Sequence, residues 1–328
     1  MDKAADRSRL GRRAIVAATL GLPAIARAQG ARTIRLIVPF APGGGSDTLA
    51  RLMAPSFGNE LGASVVVENR AGAGSQIGAE LVMRSPPDGT TLLFGDTPLA
   101  TIPALQAAAG RPIPFEAARD FTPISAIAAA PAILVVAANA PWRDLRAFLA
   151  DARARPGTIN VASGGVASST HLMIELLRLN ANVQITHVPY RGAGAALQDL
   201  IAGNVQASVQ AMATGGQVVT SGQVRVIGVA AAQRIPELPD APTLREQGVD
   251  LLASFWWGIL GPKGMPDEMA GRIHQAAQTA MGSEAVASRL PNLGLARLTL
   301  GPAEFTRFLA SETVRWREVV QTAGIKPE

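Results

Sequence analysis

Four loops of this chain hold the same kind of place. Residues 39–47 (PFAPGGGSD), 69–75 (NRAGAGS), 163–169 (SGGVASS) and 189–194 (PYRGAG) each follow an apolar run and open a segment of helical character. Strand, glycine-bearing loop and helix, repeated along a chain, restrict it to an α/β fold, and the alternation argues for parallel sheets. Strands are expected at 34–38, 65–67, 91–94, 132–137, 158–162, 185–188, 205–209, 224–230 and 254–260. Helices are expected at 76–84, 145–153, 169–179, 193–202, 266–281 and 302–323. An earlier helix carries Leu49, Leu52, Met53 and Phe57 on one face, and Pro55 inside it predicts a kink or a restart.

Glycines in series are costly to order. In an open α/β sheet, loops at the carboxyl ends of the strands line the ligand crevice. Helix N-termini there present unpaired N–H groups and a partial positive charge, which suits an anion. PFAPGGGSD therefore reads as a loop that offers backbone amides. Each loop also has a plainer reading, with glycine marking a turn and Ser46 or Asp47 capping the next helix.

Other chemistries fit less well. No G-x-x-x-x-G-K-[ST] motif is present. Gly72 to Gly78 spells G-x-G-x-x-x-G, with Asp96 beyond it, but Glu68, Asn69 and Arg70 separate it from its strand. It leaves an exported nucleotide-dependent oxidoreductase as an alternative. There is no G-x-S-x-G elbow at Ser163, and His171, His187 and His274 lack metal-ligand spacing, so they read as structural. The absence of cysteine excludes thiolate, iron–sulfur and disulfide chemistry.

The formal charge of +5 is concentrated at the N-terminus. Residues 1–28 hold six Lys and Arg against two Asp, leaving 24 basic and 23 acidic residues beyond them. No basic stripe exists, so a nucleic-acid partner is not expected. Arg12-Arg13, the apolar stretch 14–22, Pro23 and Ala26-Arg27-Ala28 read as a cleavable export signal over 1–28. The paired arginines leave Sec and twin-arginine export both open. The apolar stretch is too short for an anchor, so the remaining chain is expected to be periplasmic and free of the membrane.

Taken together, PFAPGGGSD, VVVENRAGAGSQIGAE (65–80), PPDGTTLLFG (86–95), RDFTPIS (119–125), SGGVASSTHL (163–172), HVPYRGAGAALQDLIAGNVQ (187–206), LPDAPTLREQG (238–248) and the closing AGIKPE resemble one family. It is the Bug or TctC type of extracytoplasmic solute receptor of tripartite tricarboxylate transporters. The resemblance implies a type II periplasmic-binding fold, with two α/β lobes around an interlobe cleft. Lobe one would be residues 29–128 with 252–328, and lobe two 129–251. It implies a receptor that catalyses nothing; no cofactor is expected, and nothing in the sequence suggests an obligate dimer, so a monomer is expected. Such a receptor would bind a small organic carboxylate and deliver it to membrane permease subunits. A sensor docking on a membrane kinase is the alternative of the same shape.

Carried over by position, the resemblance assigns the ligand site to Phe40, Gly43, Gly44, Ser46, Asp47, Asp96 and Thr97 in lobe one. In lobe two it assigns Ser163, Gly164, Ser168, Ser169, His171, Tyr190, Arg191, Gly192 and Gln210. Phe40 and Tyr190, the only tyrosine, would form apolar walls. Asp47 would cap and orient its loop. Two departures from the family pattern stand out. Ala167 replaces a loop glycine. Gln210 replaces an aspartate, and either faces an uncharged or wholly anionic ligand or bonds a neighbouring loop.

Overall fold

The computed structural model describes residues 32–40, 42–166 and 168–325. The export signal and Ala167 lie outside the described residues. The chain runs β1 (Arg32–Val38), α1 (Gly45–Leu61), β2 (Ala63–Asn69), α2 (Gln76–Met83), β3 (Thr91–Asp96), α3 (Pro98–Ala108), α4 (Ala117–Asp120) and β4 (Phe121–Ala137). It continues α5 (Leu145–Ala154), β5 (Asn160–Ser163), α6 (Ser169–Ala181), β6 (Thr186–Pro189), α7 (Ala193–Ile201), β7 (Ala207–Ala211), α8 (Met212–Thr220) and β8 (Val224–Val229). It closes with β9 (Ser254–Pro262), α9 (Asp267–Gly282), α10 (Glu284–Ala287), β10 (Ala296–Leu300) and α11 (Pro302–Ala323).

The strands follow the hydrogen-bonded order β2-β1-β3-β9-β4-β7-β5-β6, with β8 and β10 also pairing β4. The first half holds parallel β1, β2 and β3. The second holds parallel β5, β6 and β7. The sheet is nonetheless mixed, which corrects the expectation of parallel sheets. β9 runs antiparallel to both β3 and β4, and β4 antiparallel to β7 and β8. The reversal comes from the chain crossing to the second half through β4 and returning to the first through β9.

β4 joins the halves, and proline marks its changeover. Up to Pro131 it pairs β9, and from Ala132 it pairs β7. Proline has no N–H to donate, so a place where one ladder ends and another begins is where a strand tolerates it. The helix does not restart at Pro55. α1 runs through it as one helix, with Leu49, Ala50, Met53, Ala54 and Phe57 buried along one face. Tertiary packing of that face sustains the helix where the proline removes a backbone bond.

α3 and α8 have no counterpart among the sequence expectations, and neither does β10. α3 is buried from Leu99 to Leu105 and contains Pro103, so it has no polar face to reveal a helical period. α11 packs on both α3 and α6. Its Phe305, Leu309 and Trp316 belong to a core cluster that includes Leu99 and Ile102 of one half and Leu172 and Leu176 of the other. No helix among the described residues is long and apolar enough to cross a membrane.

Candidate functional site

All four glycine-bearing loops reach one cavity of about 880 Å³, lined from both halves of the sheet. The loop after β1 supplies Phe40, Pro42 and Gly44, and the loop after β2 supplies Ala73 and Gly74. The loop after β5 supplies Gly164, Val166, Ser168 and Ser169, and the start of α7 supplies Gly192 and Ala193. One face of α3 and Arg111 complete the wall with Thr170.

Helix starts set the polarity of this cavity. α1 begins after Gly44 and α7 after Gly192, and no side chain caps either one. The first N–H groups of a helix lack partners within it, and here two such starts border a concave space. α6 is different. Ser168 caps it by accepting from the His171 amide at 3.2 Å, while its hydroxyl donates to the Gly165 carbonyl at 2.7 Å. Ser169 lines the cavity without duties of that kind. Ser169→Ala is therefore expected to leave the folding stability within about 0.5 kcal/mol of the parent and to weaken a bound anion about tenfold. Ser168→Ala adds a capping loss of about 1 kcal/mol. Thermal melts with calorimetric titration separate the two, and unchanged affinity in both variants would remove the hydroxyls from the site.

Other residues expected at the site stand behind the wall. Asp47 is buried and accepts from the Gly43 amide at 2.9 Å, Asn69 Nδ2 at 2.8 Å and Arg51 Nε at 3.0 Å. Burial works against its charge, but these donors outweigh it and hold its carboxyl down at about 2. Asn69 also donates to the Phe40 carbonyl at 3.1 Å, so the network fixes the loop that carries Phe40 and Gly44. Gly43, at φ +85°, takes a turn that side chains other than glycine rarely adopt.

Below α1, Trp257 Nε1 donates to Ser46 Oγ at 2.9 Å, and Ser46 Oγ donates to Asp96 Oδ2 at 2.9 Å. The other oxygen of Asp96 is buried without a partner. Burial pushes this carboxyl up to about 8, against the Ser46 hydrogen bond, so it is a neutral acid near pH 7. Thr97 accepts from the Trp256 amide at 3.2 Å.

In the second half, Ser163 is buried with its Oγ 2.6 Å from His187 Nε2 and 3.1 Å from the Gly165 amide, which pins the loop at Gly165. His187 stacks on His171 at 3.7 Å, and His171 Nε2 lies 3.7 Å from Glu175. Arg178 pairs with the same carboxylate at 2.7 Å. Burial, then the charge of His171, lowers His187 to about 4, against the opposing pull of Glu175. A lowered histidine stabilises the fold above its unfolded value and withdraws that stability as pH falls toward about 4. Stability is therefore expected to decline between pH 6.5 and 4, and His187→Gln to flatten the decline in acid-titrated melts. A curve unchanged by that substitution would remove His187 from the effect.

Tyr190 does not form the second apolar wall. Its hydroxyl donates to Asp199 Oδ2 at 2.7 Å and its ring packs on the second half's core. Arg191 is exposed on its loop. Gln210 is fully buried, donating to Ser208 Oγ at 2.8 Å and more weakly to the Ala193 carbonyl at 3.4 Å, where it braces the start of α7. Phe40, Gly44, Gly164, Ser168, Ser169 and Gly192 are the expected residues that do line the cavity.

The model of the family described as the tripartite tricarboxylate transporter family receptor, TctC, matches residues 49–325. This chain belongs to that family. The receptor is 35% identical over 329 residues to the UPF0065 protein in the tcbD–tcbE intergenic region of Pseudomonas sp. strain P51, covering 97% of this chain and 96% of the relative. A solved structure of a periplasmic transporter superposes with a TM-score of 0.80 at 32% identity, over 91% of the receptor and 99% of that chain. Rpa4515 of R. palustris, solved with adipate, gives a TM-score of 0.80 at 31% identity, over 92% of the receptor and 100% of that chain. The receptor thus has the mixed α/β fold of its family's periplasmic binding proteins.

Sequence reasoning missed two parts of this receptor's site. One is α3, whose mostly apolar sequence hides its helical period. The other is the clamp of Arg51 and Asn69 on Asp47. Asn69 could have been found, since it opens a glycine-bearing loop immediately after a strand.

Proposed function

We propose that this receptor captures a small organic carboxylate in the cavity between the two halves of its sheet and delivers it to the permease subunits of a tripartite transporter. The observation that carries the reading is the convergence of four glycine-bearing loops and the side-chain-free starts of α1 and α7 on one cavity. Among the described lining residues Arg111 is the only charged side chain. A site of amides and hydroxyls holds a carboxylate by fixed dipoles, without a buried counter-charge to desolvate. The adipate-bound relative supports the ligand class.

In this reading the lobes are residues 29–128 with 252–328, and 129–251, and they close on the ligand. The protein acts as a monomer in the periplasm after loss of residues 1–28, needs no cofactor and performs no catalysis. The lining residues Phe40, Gly44, Gly164, Ser168, Ser169 and Gly192 touch the ligand. Asp47, Asp96, Ser163, His171 and Gln210 hold the loops in place.

Ligand binding stabilises the native state by mass action, by about 2.7 kcal/mol at a hundredfold excess over Kd, and so raises the melting temperature. A thermal-shift screen of residues 29–328 against carboxylates, amino acids and nicotinamide nucleotides is expected to respond to carboxylates. A response to nucleotides alone would overturn the reading and move the site to the Gly72–Gly78 loop.

A further inference from the structure

The cavity has a second character that the loops do not explain. From α3 it takes Pro98, Thr101, Ile102, Leu105 and Gln106. These positions follow the spacing of a single helical face. At 1.5 Å per residue they line the space for roughly 12 Å. The strip begins at Pro98, two residues after the end of β3, and its last member is Gln106. Arg111 follows beyond the helix end.

Most of the surface along that strip is hydrocarbon. Ile102 and Leu105 present aliphatic side chains and Pro98 a ring, while Thr101 turns its hydroxyl to the Pro98 carbonyl at 3.3 Å. Phe40 and Val166, from the loops of the two halves, add apolar surface to the same cavity. Polar groups are concentrated at the loops and at Gln106 and Arg111. A ligand carrying hydroxyls or a carboxylate along its middle would desolvate them against hydrocarbon with no partner. A hydrocarbon body gains by the same contact.

We propose that the receptor selects carboxylates with an apolar body, an aliphatic chain or an aromatic ring, and discriminates against hydroxylated di- and tricarboxylates. The carboxylate sits on the loop amides and the body lies along α3. Ile102 and Leu105 are the specificity-determining residues. A second polar group is accommodated only at the far end, beside Gln106 and Arg111. This rests on the carboxylate-receptor reading and narrows it to one ligand class.

Calorimetric titration of residues 29–328 with butanoate, hexanoate, octanoate, adipate and benzoate, against malate and citrate, tests the assignment. Affinity is expected to rise about fourfold per methylene buried until the strip is filled. Malate and citrate are expected to bind at least tenfold more weakly than hexanoate or adipate. If adipate exceeds hexanoate, the far end takes a second carboxylate, and the reverse makes the ligand a monocarboxylate. Both orders keep the apolar body. Leu105→Asn is expected to weaken hexanoate tenfold or more. Leu105 and Ile102 both belong to the core, so Ile102→Thr, which removes less apolar volume, serves as the milder variant, and the ligand series on the unaltered protein decides the matter if neither folds. Malate or citrate binding more tightly than every apolar-bodied acid would overturn this inference and leave the carboxylate receptor standing. No binding of any carboxylate would remove the receptor reading and the inference together.

Discussion

Asp47→Ala is expected to lower both stability and ligand affinity, although Asp47 does not line the cavity. The carboxylate binds the Gly43 amide, Asn69 Nδ2 and Arg51 Nε. A hydrogen bond to a charged group is worth about 1.5–3 kcal/mol, and a buried donor left without a partner costs its desolvation. Arg51 is half exposed, so water replaces much of its loss. The Gly43 and Asn69 bonds dominate, and a net loss of about 3 kcal/mol follows. Because Asn69 also holds the Phe40 carbonyl, the loop loosens where Phe40 and Gly44 meet the cavity. Ligand affinity should fall tenfold or more, and Asp47→Asn should recover part of both losses. Urea denaturation and calorimetric titration check this. A variant with parental stability and affinity would mean that the loop is held by other contacts.

The second large effect is a loss of stability as pH rises from 3.8 to about 8. Asp96 is buried, with one oxygen unpaired, and its carboxyl is raised to about 8 from an ordinary 3.8. A group raised on folding binds its proton more tightly in the native state. Its contribution is therefore complete below pH 3.8 and is lost as pH rises through about 8. The loss is on the order of 5 kcal/mol for this group alone. Asp47 and Glu68, both held down near 2, act oppositely but only at acid pH. Asp96→Asn keeps a neutral polar group in the same place. The parent should therefore lose stability relative to Asp96→Asn between pH 5 and 9, and the variant should be the more stable at pH 9. Parallel stability curves across that range would show that Asp96 ionises normally.

Much of the fold was legible because strand, glycine loop and helix repeat in order. α11 falls at the expected residues 302–323 because Phe305, Leu309, Trp316 and Val320 mark one buried face. The direction of β9 was not legible. SFWWGIL carries the same apolar run whether a strand is parallel or antiparallel, and only the crossover through β4 decides it. The cavity loops were legible because four of them share one place, after a strand and before a helix. The roles within them were less so. Ser163, Ser46 and Gln210 are the right residue types for ligand contact, but each is buried and bonded to protein partners. Tyr190 has a partner in Asp199, nine residues on, which the motif alone does not announce. α3 was invisible for the opposite reason. Its Thr101 and Gln106 are too few to mark a helical period, and the aliphatic side chains it gives to the cavity resemble those it gives to the core.

The most direct test is a crystal structure of residues 29–328 with hexanoate bound. The account predicts carboxylate oxygens about 2.7–3.2 Å from main-chain nitrogens at the starts of α1 and α7 or from the Ser169 hydroxyl, with the chain along Ile102 and Leu105. A carboxylate paired with Arg111 alone, or bound outside this cavity, would contradict it.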